Sequence, residues 1–139
     1  MPFNIAIRKF SEQRASKWQL SRVAKKAPLF RSMSRAALSE LLDTAIQPIY
    51  NPNDVIVRQG EQDQSVYLVI FGRVRVMQAS AENVTEQVIA ELGPGEVFGE
   101  LAILESQPRS ASVIALERTS CLKVPGNLFL DALNESPTT

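Results

Sequence analysis

The sequence contains no histidine and only one cysteine, Cys121. Histidine is the commonest metal ligand and the usual general base, so its absence argues against an enzyme such as a metal-dependent cupin. A chain with one cysteine cannot form an internal disulfide, and a reducing cytoplasm is the simplest expectation for its location. The longest apolar run, Val66–Phe71, has six residues, and the N-terminus lacks the layout of a secretory signal. No membrane-spanning segment is therefore predicted, since about 18 apolar residues would be needed.

Charge is balanced overall but unevenly distributed along the 139 residues. Residues 1–35 contain nine lysines and arginines and one acid, whereas residues 36–139 contain six and fourteen. Such asymmetry can mark a segment that contacts nucleic acid or an anionic membrane surface. The cations form no dense run and no cluster with aromatic residues, so no nucleic-acid partner is expected. The favoured interpretation is a basic helix that faces an acidic surface of the same molecule or of a neighbouring domain, with peripheral contact to a membrane as the alternative.

The first 45 residues favour helices. Residues 4–26 lack proline and glycine and predict one helix, which Pro28–Phe30 ends in a tight turn. Ser34 is expected to cap a second helix, Arg35–Thr44, and an apolar face is formed by Leu38, Leu41, Leu42 and Ala45. A last helix is predicted over Gly126–Asn134.

After Pro48 the pattern changes to short β-branched runs separated by turn residues, which predicts strands. Their number and spacing favour an antiparallel, jelly-roll-like β-roll over a βαβ fold. The fold class is therefore α+β, mainly β. The predicted strands are Ile46–Tyr50, Val55–Arg58, Val66–Ile70, Arg73–Ala79, Val84–Leu92, Ala111–Glu117 and Cys121–Val124.

The central motif is LGPGEVFGELAILESQPRSASV at residues 92–113. A single-turn helix can begin at Glu100, and the free backbone N–H groups of a helix start attract anions. Arg109 follows, and a guanidinium suits a phosphate. The Glu100 carboxylate would repel a phosphate and prefers a neutral donor such as a sugar hydroxyl. Taken singly, the glycines could serve only turns and Arg109 could pair with Glu105 or Glu117; together they indicate a pocket for a phosphate bonded to a ribose.

The segment FGELA at 98–102, followed by PRSA at 108–111, closely resembles the phosphate-binding cassette of cyclic nucleotide-binding domains. That family includes regulatory subunits of cyclic-AMP-dependent kinase, the catabolite activator protein and cyclic-nucleotide-gated channels. Its upstream motifs are matched in order by VIVRQGE at 55–61, YLV at 67–69 and GRVRV at 72–76. The resemblance spans roughly Phe30 to Leu133. It implies a regulatory, non-enzymatic module that requires no cofactor beyond its ligand.

The resemblance also implies a role for each site residue. The cyclic phosphate would accept N–H bonds around Gly99, Leu101 and Ala102, a bidentate contact from Arg109, and a bond from the N–H or hydroxyl of Ser110. Glu100 would accept from the ribose 2′-OH, and the base would lie on apolar strand residues. Cyclic AMP is favoured, with cyclic GMP as the alternative because Ser110 can also bond a syn guanine. The full predicted ligand-binding set is Gly99, Glu100, Leu101, Ala102, Arg109, Ser110, Ala111, Val88 and Val97.

We divide the chain into an N-terminal helical segment (1–45), a cyclic nucleotide-binding roll with its short helix (46–134) and a tail (135–139). Family members usually add a further helix that folds over the base, and we expect this lid helix to be absent from the chain. Three alternatives follow: the chain is a fragment of a longer protein, the lid comes from elsewhere, or the base stays exposed. The signal would then pass to another effector domain or protein, with the basic N-terminal helix as the expected point of coupling. The rival function is a non-binding β-roll interaction module.

Overall fold

The computed structural model describes residues 15–82 and 85–135. Within these ranges, helices α1 to α5 span Lys17–Ala24, Pro28–Arg31, Arg35–Thr44, Glu100–Leu104 and Gly126–Asn134. Strands β1 to β8 span Ile49–Tyr50, Val55–Val57, Ser65–Phe71, Val74–Gln78, Gln87–Leu92, Val97–Phe98, Ser112–Ala115 and Thr119–Pro125. No described helix is long and apolar enough to cross a membrane.

The strands form two four-stranded antiparallel sheets, in the orders β1-β8-β3-β6 and β2-β7-β4-β5. Every strand pair is antiparallel, and neighbouring strands are often distant in sequence, as in β3 with β8. The predicted mainly β fold with an antiparallel roll is confirmed. The proposed division of the chain into three segments stays a prediction.

Two of the described helices, α1 and α3, begin at a serine whose side chain caps them. Ser16 accepts from the backbone N–H of Gln19 while the Gln19 side chain accepts from Ser16 N–H, a reciprocal capping box that starts α1. Ser34 accepts from Ala37 N–H and starts α3, as predicted. The bounds of α3 and α5 agree with the predictions. The predicted first helix was wrong at both of its described ends, because Ser16 is extended and α1 is limited to Lys17–Ala24. Residues 4–14 of that prediction lie outside the described residues.

Several local predictions were wrong in detail, and the ends of most predicted strands differ from the observed ones by one to three residues. The expected turn at Pro28–Phe30 is a short helix, α2, because proline is well suited to the first helical turn. The first strand is limited to Ile49–Tyr50, and Ile46 forms only an isolated bridge to Lys123. Strand β6, Val97–Phe98, was not predicted; it pairs with β3. Val84 of the predicted fifth strand lies outside the described residues.

Two apolar clusters hold the helices and the two sheets together. One lies between the helices and the first sheet and includes Phe30 and Phe129, whose ring centroids are 5.5 Å apart. The other lies between the two sheets and includes Tyr67 and Phe98. The residues of the candidate site pack against this second cluster.

Candidate functional site

Helix α4 begins at Glu100, as the sequence predicted, directly after Gly99. Gly99 has φ +88°, a left-handed conformation that side chains rarely adopt. A Cβ added there would lie 2.5 Å from Nη1 of Arg109. Glycine is therefore required both by the backbone turn and by the close approach of the arginine.

Arg109 points into the protein and has only 3% of its surface exposed. Its Nη1 donates to the Gly99 carbonyl at 2.7 Å, and its Nη2 donates to the Ser65 carbonyl. The same Nη2 lies 3.0 Å from Oδ2 of Asp63. Neither Glu105 nor Glu117 is its partner. The Nε atom of Arg109 is buried and has no hydrogen-bond partner among the residues that the structure describes.

Asp63 supplies the counter-charge that holds Arg109 in place. The hydroxyl of Tyr67 donates to its Oδ2 at 3.1 Å, and the Ser65 N–H donates to its Oδ1 at 3.0 Å. Burial acts to raise the pKa of Asp63, but the hydrogen bond and charge of Arg109, together with the Tyr67 and Ser65 bonds, outweigh it and hold the pKa below its ordinary value. Asp63 is a site residue that the sequence reasoning missed.

An aromatic pair lies beneath the guanidinium. The rings of Tyr67 and Phe98 are stacked, with centroids 4.8 Å apart and planes 2° from parallel. The Arg109 Cζ atom lies 5.8 Å from the Tyr67 ring centroid. Cations are attracted to aromatic faces at this separation, so the pair adds to the hold on Arg109.

Glu100 is partly buried at the start of α4. Burial of its carboxylate raises its pKa, although the backbone N–H groups of Glu100 and Leu101 and the charge of Arg109 act in the opposite direction. The backbone N–H groups of Glu100 and Leu101 thus favour the charged form of this acid, and the Leu101 N–H is also one of the groups predicted to donate to the phosphate.

A pocket of about 200 Å³ opens between α4 and the second sheet. It brings together most of the predicted ligand-binding set, and Val88 is not among its lining residues although Val97 is. Ile89, the residue after Val88, lines it instead; no signal in the sequence separated the two neighbouring apolar residues of β5. The predicted residues that line the pocket are Val97, Gly99, Glu100, Leu101, Ala102, Arg109, Ser110 and Ala111.

The pocket offers carboxylate, guanidinium and backbone groups together with an apolar wall. Within residues 15–82 and 85–135 there is no group of three or more Cys, Asp or Glu placed to hold a metal ion. The chemistry of the pocket therefore suits an organic anion that also carries hydroxyl and apolar parts.

Comparison with known proteins identifies the family. Residues 48–136 match the model of the family described as "Cyclic nucleotide-binding domain". The chain belongs to the cyclic nucleotide-binding domain family. The matched region contains both sheets, the pocket and α5.

Among curated relatives, the cAMP-dependent protein kinase regulatory subunit of Dictyostelium discoideum is 32% identical over 107 residues, which is 75% of this chain and 32% of that protein. The cyclic AMP receptor protein of Thermus thermophilus is 33% identical over 113 residues, covering 81% of this chain and 52% of that protein. The chain thus spans about a third to a half of the length of these two relatives.

The solved structures also share the fold. The regulatory domain of Toxoplasma gondii PKA, co-crystallised with cAMP, superposes with a TM-score of 0.81 at 23% identity, covering 90% of this chain and 48% of that chain.

Proposed function

We propose that this chain binds a cyclic nucleotide, with cyclic AMP favoured over cyclic GMP, and that binding regulates an effector domain or protein. The observation that carries the proposal is the buried Arg109 in the pocket wall. A guanidinium has five N–H donors, and three of Arg109's are used by Gly99, Ser65 and Asp63. The Nε–H and one Nη1–H remain for a phosphate.

The phosphate would lie between these donors and the start of α4. Because a buried polar group without a partner costs free energy, a phosphate oxygen that accepts from the remaining N–H groups would recover that cost. Ser110, the residue after Arg109, also lines the pocket and would add its hydroxyl or backbone N–H. The negative phosphate at the start of α4 would also displace the Glu100 carboxylate from the backbone N–H groups there, since like charges repel.

Once displaced, the Glu100 carboxylate would be free to accept from the ribose 2′-OH. The two parts of the ligand therefore act together. The phosphate accepts hydrogen bonds from the backbone N–H groups, and the ribose hydroxyl donates one to the Glu100 carboxylate. A deoxyribose would leave the partly buried carboxylate without a donor. Selectivity for ribose follows from that loss.

The base would lie on the apolar wall formed by Val97, Ile89 and their neighbours. The pocket measures about 200 Å³, whereas sites that enclose a small organic ligand commonly measure about 300–1,000 Å³. Part of the nucleotide would therefore remain outside the pocket. Cyclic AMP is favoured because the two relatives described above, at 32% and 33% identity, are named for cyclic AMP. Cyclic GMP stays the alternative because cGMP-dependent protein kinase 2 of Homo sapiens is 30% identical over 73% of this chain.

The test is isothermal titration calorimetry with cyclic AMP and its 2′-deoxy analogue. In the wild type the deoxy analogue should bind more weakly by about 1.5–3 kcal/mol, the usual worth of a hydrogen bond to a charged group. In Glu100→Ala the two ligands should bind equally. Glu105→Ala, which removes the same charge just after α4, is the matched control and should keep the wild-type difference.

Absence of binding heat for either cyclic nucleotide in the wild type would refute the proposal. An unchanged preference for ribose in Glu100→Ala would refute only the role given to Glu100. Competition between cyclic AMP and cyclic GMP in the same assay decides which nucleotide is bound more tightly.

The second candidate is a roll that contacts a partner without binding a nucleotide. It is favoured by one observation: Asp63 already compensates the charge of Arg109. A thermal-shift series distinguishes the two functions, because a ligand that binds only the folded state at a hundred times its Kd adds about 2.7 kcal/mol of stability.

A further inference from the structure

A groove separate from the nucleotide pocket lies on the N-terminal helices. The two sites share no lining residue. Helices α1, α2 and α3 line it, and its volume is about 450 Å³. Its floor includes the side chains of Met33, Leu38 and Leu42, which are 8%, 5% and 5% exposed. The groove is thus a cleft with a recessed apolar floor.

The rim of this groove is positively charged. Lys25, Arg31 and Arg35 line it, are exposed, and have no ion-pair partner among residues 15–82 and 85–135. Lys17 also lines it and pairs with Asp43 at 2.9 Å. No acidic residue is among its lining residues. Like charges gathered around one cleft repel each other, and an anionic occupant would relieve that repulsion.

Trp18 stands at the edge of the groove with 67% of its surface exposed. The guanidinium of Arg22 lies 4.9 Å from the centroid of its ring. Exposed tryptophan and arginine are the residues most enriched at the energetic centres of protein interfaces. An exposed aromatic beside unpaired cations indicates a surface that contacts both apolar and anionic groups.

Charge decides among the candidate occupants. The chain's own residues 1–14 carry three cations and one acid, and residues 136–139 carry no charge, so neither complements the rim. A membrane surface is flat and favours cations that project outward, whereas these surround a cleft. A peptide can place carboxylates on the rim and one large apolar side chain over the floor.

We propose that this groove is the docking site for an acidic peptide segment of a partner protein, one that carries a large apolar side chain among its carboxylates. The site is independent of nucleotide binding. Contact with an effector would then occur at this groove, through carboxylates on its rim and an apolar side chain over its floor.

Trp18 is the only tryptophan of the chain, so its fluorescence reports on the groove directly. The full chain is titrated with a short peptide of glutamate and leucine, with the same peptide carrying glutamine for glutamate, and with one carrying serine for leucine. The glutamate–leucine peptide should change the emission most. Its affinity should fall as salt is raised, because exposed charges are screened.

Arg35→Glu is the test variant. Arg35 is the first residue of α3, where an acid suits the helix dipole, so the variant should fold normally. The peptide should bind about three- to tenfold more weakly to it, the range expected when one attractive rim charge becomes repulsive. Arg58→Glu, an equal charge reversal at an exposed residue of the roll, should leave the affinity unchanged.

Several outcomes would overturn the proposal. They are an equal response to the glutamine peptide, an equal loss in Arg58→Glu, or a response to phosphatidylserine vesicles that exceeds the response to the peptide. Self-association that Arg35→Glu abolishes, detected by light scattering without any response to the peptide, would instead assign the groove to the acidic surface of a second copy.

Discussion

Oδ2 of Asp63 lies 3.0 Å from Nη2 of Arg109, which joins the loop before β3 to the loop after α4. The arginine side chain is 2% exposed and that of Asp63 25% exposed, so the pair is buried on one side only. Through this contact the guanidinium is oriented before any ligand arrives. Preorganisation of this kind improves affinity because the side chain loses less freedom on binding.

Asp63→Asn should lower the free energy of unfolding by about 1–3 kcal/mol, since a buried guanidinium loses its charged partner. Urea denaturation at neutral pH measures this loss. Asp43→Asn is the matched control: it breaks the exposed Lys17–Asp43 pair, whose two side chains are 48% and 63% exposed. Such surface pairs contribute about 0–1 kcal/mol, so an equal loss in the two variants would contradict a structural role for Asp63.

The same pair predicts a dependence on pH. The pKa of Asp63 is lowered from 3.8 in the folded protein, so its stabilising contribution is fully present above pH 3.8 and is lost as the pH falls through the folded pKa. The stability difference between wild type and Asp63→Asn should therefore be constant from neutral pH down to about 4 and should shrink in more acidic solution. A difference that grew on acidification would be evidence against the pairing.

Local signals made much of the fold predictable. The bounds of α3 and α5 follow from a capping serine, apolar periodicity and flanking prolines or glycines, all of which lie within a few residues of the helix ends. Strand β6 carries no such signal, since two residues cannot show a periodicity. Its conformation is decided by pairing with Tyr67 and Leu68 of β3.

The candidate site, like the fold, could be predicted from the sequence only in part. The glycine, the acid and the arginine of the central motif lie within eleven residues of one another, and their spacing indicated a phosphate pocket. Asp63 is remote from that motif, and nothing in its neighbours distinguishes it from Glu61, the other acid of the loop between β2 and β3. Asp63 is brought beside Arg109 by the pairing of β2 with β7, which the backbone hydrogen bonds of Gly60 and Glu61 to Arg109 continue.

Gly99→Ala should destabilise the protein and weaken nucleotide binding, because the new methyl group would meet Arg109 Nη1 at 2.5 Å and the Ser65 carbonyl at 3.1 Å. Gly60→Ala is the matched control. Gly60 has a similar φ of +90° but nothing within 4 Å of an added Cβ. Both variants bear the cost of a left-handed alanine, about 1–2 kcal/mol.

Any further loss in Gly99→Ala measures the displacement of Arg109. We expect thermal denaturation to show the larger loss in that variant, and calorimetry to show weakened nucleotide binding there alone. Equal stability and equal affinity in the two variants would show that the approach of Arg109 to Gly99 has no energetic consequence.

Glu100→Gln should be at least as stable as the wild type at neutral pH, because glutamine avoids the cost of a partly buried charge. The pKa of Glu100 is raised from 4.5 in the folded protein, so its contribution to stability is fully present below pH 4.5 and is lost as the pH rises through the folded pKa. The stability of the wild type relative to the variant should accordingly increase as the pH is lowered. Melting temperatures of both proteins across this range test the sign, and a wild type that gained stability with rising pH relative to Glu100→Gln would contradict it.

Ile89→Ala should weaken nucleotide binding, whereas Val88→Ala should not, because Ile89 lines the pocket and Val88 does not. The two side chains are 54% and 52% exposed, so truncation of either should affect stability little and by a similar amount. Loss of the apolar contact at Ile89 should cost about 1 kcal/mol, which is roughly fivefold in Kd. Calorimetric titration of both variants with cyclic AMP provides the measurement. If Val88→Ala were the weaker binder, the base would lie further along β5 than the pocket indicates, against the residue that the sequence pattern had favoured.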